Sequence, residues 1–231
     1  MKKGEIKKQE ILRTAETRFC RYGYEETSIQ DILDDLHTSK GSFYHHFTSK
    51  ESLLEAICRY RAESASDEIL ASVPADALPV DILNFLISGL IPFSGEKLSF
   101  LLMILHVFSG PQGVQLRNGY MNELSSIYHD PIRECIKKGT EAGDFSCSDP
   151  DFFATLILSV VHHYWIGVCD LILADHHGGV RTDPSELVSM TEQYRSVMER
   201  ILFAPFGSVT LLSLPELINL TDRIHLHLKA L

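Results

Sequence analysis

A chain of 231 residues, 45% hydrophobic and 23% charged, can bury a substantial core, which excludes collagen-like, low-complexity and wholly disordered classes. Five cysteines without a CxxC pair argue against a disulfide scaffold or a cysteine-based zinc site, and make the reducing cytoplasm the expected compartment. The net charge of −10 is unevenly placed: residues 1–50 carry nine Lys or Arg against eight Asp or Glu, so any segment that docks on phosphate has to be this first one.

Apolar spacing is helical throughout, and no stretch alternates as a half-buried strand does, so the expected class is all-α. In the first helix Ile11, Ala15, Phe19 and Tyr22 share a face, and Gly23 is placed to stop it. Thr27-x-x-Gln30 reads as a capping box opening a second helix with Ile29, Ile32, Leu33 and Leu36. A third is predicted over 39–46 with Phe43 and Phe47 inward, and a fourth from a second box, Thr48-x-x-Glu51. Two short helices joined by three residues and braced by a longer one make a helix-turn-helix.

Pro74 and Pro79 mark a break, after which 81–93 and 97–108 read as buried helices. A further helix over 114–138 is kinked or divided at Pro131 and ends near Gly139 or Gly143. Asp149 with Pro150, and Asp183 with Pro184, each put an acceptor at an N-cap and proline at the first helical position. The helices they open, over 150–174 and 184–203, are apolar on more than one side and are expected to form a four-helix homodimer interface. Pro205 and Gly207 open a loop, and Pro215 starts an amphipathic tail with Leu217, Leu220, Ile224 and Leu228. Nothing at the start reads as a secretion signal, and the long uncharged stretches 98–116 and 152–169 are interrupted by polar or breaking residues, so no membrane span is expected.

The segment YGYEETSIQDILDDLHTSKGSFYHHFTSKESLLEAI, residues 22–57, carries Tyr22-Gly23-Tyr24, Thr27-Ser28, Ser39-Lys40-Gly41, Phe43-Tyr44, His46-Phe47 and Ser49-Lys50-Glu51. In these motifs it resembles the DNA-binding domain of the tetracycline-repressor (TetR) family of bacterial transcription regulators. Gly139-x-x-x-Gly143-x-Phe145 is similar to that family's junction into its dimerising helices. The resemblance implies an N-terminal three-helix DNA-binding domain, 1–50, and a larger helical effector-binding and dimerisation domain, 51–231, with a C-terminal extension from about 205. It also implies a homodimer that binds a pseudo-palindromic operator, most simply as a repressor, and is released by a small-molecule effector.

The residues support this reading independently. Gly41 leaves room for close approach of a duplex backbone, Ser39 and Ser42 can bond phosphate or base edges, and Lys40 neutralises charge. Tyr44, His45 and His46 present polar tips, Thr27, Ser28 and Thr38 flank the two short helices, and Lys50 adds a cation beside the free N–H groups of a helix start. His37 stands where the family has Gly, so it is expected to adopt a left-handed conformation at about 1 kcal/mol. Asp34 and Asp35 place negative charge near the turn.

Adjacent helical residues point about 100° apart, so His162 and His163 cannot chelate one ion together, and no metal or cofactor is expected. No Gly-rich phosphate loop, nucleophile elbow or HExxH motif is present, which argues against an enzyme. The expected lining of the implied effector pocket is Phe85, Phe93, Met103, His106, Tyr120, Tyr128, His163 and Trp165, with His106 singled out as the polar residue in LLMILHVF. The alternative is a small-molecule or metal-binding helical protein whose head is vestigial.

Overall fold

The computed structural model describes residues 3–74, 76–90, 100, 103–104, 107, 113–178, 183–213, 215–220 and 222, the side chains of 3, 65, 70, 115, 116, 172–178 and 184 excepted. Among these there is no strand. The helices are α1 (Lys3–Tyr22), α2 (Ile29–Asp35), α3 (Lys40–Tyr44), α4 (Lys50–Ser72), α5 (Pro79–Leu90), α6 (Gly113–Ala142), α7 (Pro150–Gly178) and α8 (Pro184–Leu202). The expected helix over 97–108 lies mostly outside the described residues, as do Phe93, His106, Ile224 and Leu228.

The chain separates into two compact units: Met1–Arg61 with Ser94–Tyr120, and Ala62–Phe93 with Met121–Leu231. Residue 50, where the boundary is expected, is the first residue of α4, and the first unit continues to Arg61.

In the first unit, α1 packs on α2 and α2 on α3. Ile11, Ala15 and Phe19 are fully buried at four-residue spacing, whereas Tyr22, expected on the same face, is exposed. The reason is the turn. Gly23 adopts φ +91° and ends α1, which swings Tyr24 back against Phe19 with ring centroids 5.1 Å apart. Both capping boxes sit one residue later than expected. Ser28, not Thr27, caps α2: its Oγ accepts from the Asp31 N–H while the Asp31 carboxylate accepts from the Ser28 N–H. At α4, Ser49 and Ser52 exchange the same pair of bonds, each hydroxyl accepting from the other's N–H. Tandem Thr-Ser dipeptides offer two acceptors at each start, and Thr27 is drawn into the core, where its hydroxyl donates to the Gly23 carbonyl at 2.8 Å.

α6 runs unbroken over 30 residues with Pro131 inside it, and its residues from Met121 on belong to the second unit. It ends at Gly143, φ +84°, where the N–H groups of Asp144 and Phe145 both reach the Gly139 carbonyl. The Phe145 ring then lies on Gly139, where a Cβ would overlap it. Asp149 and Asp183 cap α7 and α8 as expected, accepting from Phe152 and Ser185 N–H groups respectively. The stretch Pro150–Leu171 is, against expectation, long and apolar enough to cross a membrane by length and composition. Here it packs on α8, with Gly167 against Met190 and a buried bond between Tyr164 and Thr191 hydroxyls at 3.0 Å.

After α8 the chain reverses at Phe203, φ +55°, and residues 203–213 form a strap. Buried Glu199 accepts from Gly207 and Val209 N–H groups and from Arg195 Nη1. The Asn84 side chain on α5 donates to the Ser208 carbonyl and accepts from the Thr210 N–H, both at 2.8 Å.

Candidate nucleic-acid interface

The two short helices are held by local chemistry. Leu36 ends α2, and His37 takes φ +46°, the left-handed conformation expected of it. That reversal lets the Thr38 N–H bond the Leu33 carbonyl at 3.1 Å and delivers Ser39 as the N-cap of α3. Phe43 is fully buried and in edge contact with Tyr44 at 5.3 Å, and Phe47 lies beside it at 5.7 Å. With its apolar side chains anchored, this five-residue helix turns its polar ones outward.

Ser39, Lys40, Gly41, Tyr44 and His45 are exposed, and Thr38, Ser42 and His46 are half-buried. Tyr44 is 54% exposed, a large aromatic left in solvent on the same short helix whose Phe43 is wholly buried. Ser39 already accepts from the Ser42 N–H at 3.3 Å, so its hydroxyl proton remains available to an acceptor. His46 lies near the first turn of α1, with its Cε1 4.0 Å from a Cβ built at Gly4. Partial burial, together with His45 and Lys8, pulls its pKa below the usual imidazole value, so it presents a neutral ring at pH 7.

Two of the expected contact residues are placed otherwise. Thr27 is buried and bonded within the core. Lys50 directs its Nζ to the carbonyls of Tyr24 at 2.9 Å, Thr27 at 3.2 Å and Glu25 at 3.4 Å, and lies 4.3 Å from the centroid of the Tyr24 ring. Its three donors therefore tie the α1–α2 turn to the start of α4 rather than facing out.

The negative charge near the turn is locally compensated. Arg18 clasps Asp35 with Nε at 2.5 Å and Nη2 at 2.8 Å, and Asp31 lies 3.8 Å from Nη1. The bond from Arg18 holds the Asp35 carboxyl below the usual carboxylate range, and bonds from Ser28 do the same for Asp31. Asp34 accepts from Gln30 at 2.7 Å. Arg18 was not singled out in the sequence: its partner is 17 residues away, and no short motif joins them.

The expected pocket residues that are described fall in both units. Tyr128 and Trp165 are fully buried in the second unit, Phe85 is half-buried there, and His163 is exposed on α7 with Nδ1 2.8 Å from the Ser159 carbonyl. On the same turn of α7 Tyr164 and Trp165 are buried while His163 is exposed. Met103 and Tyr120 are buried in the first unit. Tyr128 lies against Gly89, its Oη bonded to no described residue. Among the described residues no group of three His, Cys, Asp or Glu is placed to hold a metal.

Comparison with known proteins bears on this head directly. Residues 11–57 match the family of bacterial regulatory proteins, tetR family. The repressor AcnR of Corynebacterium diphtheriae is 32% identical over 183 residues, covering 79% of this chain and 87% of that one. The regulator YerO of Bacillus subtilis is 26% identical over 144 residues, 58% of this chain, and the match spans about half of YerO, 48%. Among solved structures, a transcriptional regulator from Saccharomonospora viridis, crystallised with choline, superposes with a TM-score of 0.54 at 23% identity, over 84% of this chain and 96% of that one. That likeness shows a shared fold. With the head motif, the capped turn and a relative matched over most of its length, the chain belongs to the TetR family of transcriptional regulators.

Proposed function

We propose that this protein is a transcriptional repressor that binds a pseudo-palindromic operator as a homodimer and releases it when a small molecule occupies the helical body. The observation that carries this reading is α3 itself: a helix pinned by Phe43 and presenting Ser39, Lys40, Gly41, Tyr44 and His45 to solvent. Such a helix is short enough to be laid in a major groove, with the hydroxyls and the amine on phosphate or base edges. Thr38 precedes its cap, and Ser28 caps α2 before it. Lys50 serves by fixing the turn, and Thr27 by filling the core beneath it.

For the dimer, Phe152 and Val197 are large apolar side chains left exposed on α7 and α8, as a second copy requires. Two heads must then meet half-sites about 34–36 Å apart, so a change in their separation lowers affinity. For the effector, Tyr128 Oη supplies a buried hydroxyl with no bond to a described residue, a point at which a ligand can be recognised. The implied site of action is the cytoplasm.

The test is fluorescence anisotropy with a duplex from upstream of its own gene, against a scrambled duplex, at two salt concentrations. Selective binding with a steep salt slope is expected, and Tyr44→Ala and Lys40→Ala should each weaken it by about tenfold, roughly 1.4 kcal/mol, without unfolding. Unchanged affinity in both variants would sink the assignment of α3.

A further inference from the structure

A groove of about 540 Å³ opens in the first unit between α1 and α4. Arg13, Thr17 and Arg21, spaced by four on α1, form one wall, and Arg61 of α4 with the Phe100 ring lies opposite. A second hollow of about 250 Å³ adjoins it and shares Arg13, Thr17 and Arg21, so these three form a ridge between the two.

The charge in this groove is not balanced. Arg61 directs Nε to Glu16 Oε1 at 2.5 Å, and its guanidinium lies 5.9 Å from the Phe100 centroid. Arg21 rests on the Tyr22 ring at 5.3 Å. Neither Arg13 nor Arg21 meets a carboxylate among the described residues, so Glu16 is the one acid among the groove's lining residues against three guanidiniums. None of these arginines is on α3, so operator reading leaves them without a role. Guanidinium groups lining a groove with an aromatic ring suit a planar anion carried on an apolar ring: a guanidinium fork binds carboxylate or phosphate oxygens while the ring stacks. The volume lies in the range of small-molecule sites.

We propose that this groove is a binding site for a small organic anion, a carboxylate or phosphate ester with a ring-bearing body, held by Arg13, Arg21 and Arg61 over Phe100. The anion adds acceptors to the Arg61 edge that Glu16 leaves unused; the Thr17 hydroxyl, between the two α1 arginines, donates its proton to the Arg13 carbonyl at 2.9 Å.

The full chain is titrated calorimetrically, without DNA, with phenyl phosphate, benzoate, inorganic phosphate and benzyl alcohol. Saturable binding of phenyl phosphate at one per chain is expected, at least tenfold tighter than either inorganic phosphate or benzyl alcohol. The double variant Arg13→Ala, Arg21→Ala alters two exposed side chains and should keep the fold while weakening binding tenfold or more. Cys20 lines the groove, and the other four cysteines are buried, so its alkylation should slow severalfold when phenyl phosphate is saturating. Binding that does not saturate, or that the double variant leaves unchanged, overturns the proposal. So does a double variant that only lowers the salt slope of DNA binding, because the ridge would then serve duplex phosphate. Since no duplex is present in the titration, its outcome is separable from that of the operator reading.

Discussion

His37 holds the turn between α2 and α3 at φ +46°, where a side chain with a Cβ is strained. The surroundings impose it: only that reversal brings the Thr38 N–H to Leu33 and frees Ser39 to cap the next helix. His37→Gly should therefore raise stability by about 0.5–1 kcal/mol with no change in helix content, read by urea unfolding and far-UV circular dichroism. A loss of stability would mean that the imidazole is itself an anchor. Lys50 is the opposite case, a residue whose role could not be read from its neighbours in sequence. Its acceptors lie 23 to 26 positions away, and a lysine at a helix start looks the same whether it faces phosphate or three carbonyls.

At the scale of elements, what was legible in the sequence was what is decided within a few residues. Gly23, Asp149 with Pro150 and Asp183 with Pro184 end or start helices as expected because cap geometry is local. Where two acceptors stood side by side the local signal was ambiguous, and tertiary burial of Thr27 decided for Ser28. The outward face of α3 was legible for the same reason, since Phe43 and Phe47 set its phase. A pocket leaves no such local signal: an apolar helix facing a cavity and one facing another helix share a single pattern, and on one turn of α7 Trp165 is buried while His163 is exposed. The junction after α6 gives this scale its prediction. A Cβ at Gly139 would overlap the Phe145 ring and stand 3.0 Å from Pro79 Cβ. Gly139→Ala should cost about 1–3 kcal/mol by overpacking, and the smaller side chain in Gly139→Ala with Phe145→Leu should recover part of it in paired urea titrations. Additive losses would show that the two residues do not press on each other.

For the whole molecule, the strap that follows α8, residues 203–213, is bound into the second unit. Glu199 is 4% exposed and accepts from Arg195 and from two strap N–H groups, while Asn84 pairs with the strap as a neighbouring strand would. Removing the carboxylate in Glu199→Ala leaves Arg195 Nη1 and two amides without their acceptor, while Arg195 keeps Glu192, and should cost about 2 kcal/mol, visible as a lower urea midpoint and faster hydrogen exchange at Gly207 and Val209. Unaltered exchange there would show that the strap is held by the Asn84 bonds and the buried Val209 side chain alone. The Lys50 clasp sets the rule for anyone exchanging heads between regulators. A graft cut before residue 50 would carry α1, α2 and α3 but strand the carbonyls of Tyr24, Glu25 and Thr27 without their donor. One spliced after Arg61 keeps that clasp and the Glu16 pair together, so the transplantable cassette is longer than the motif that names it.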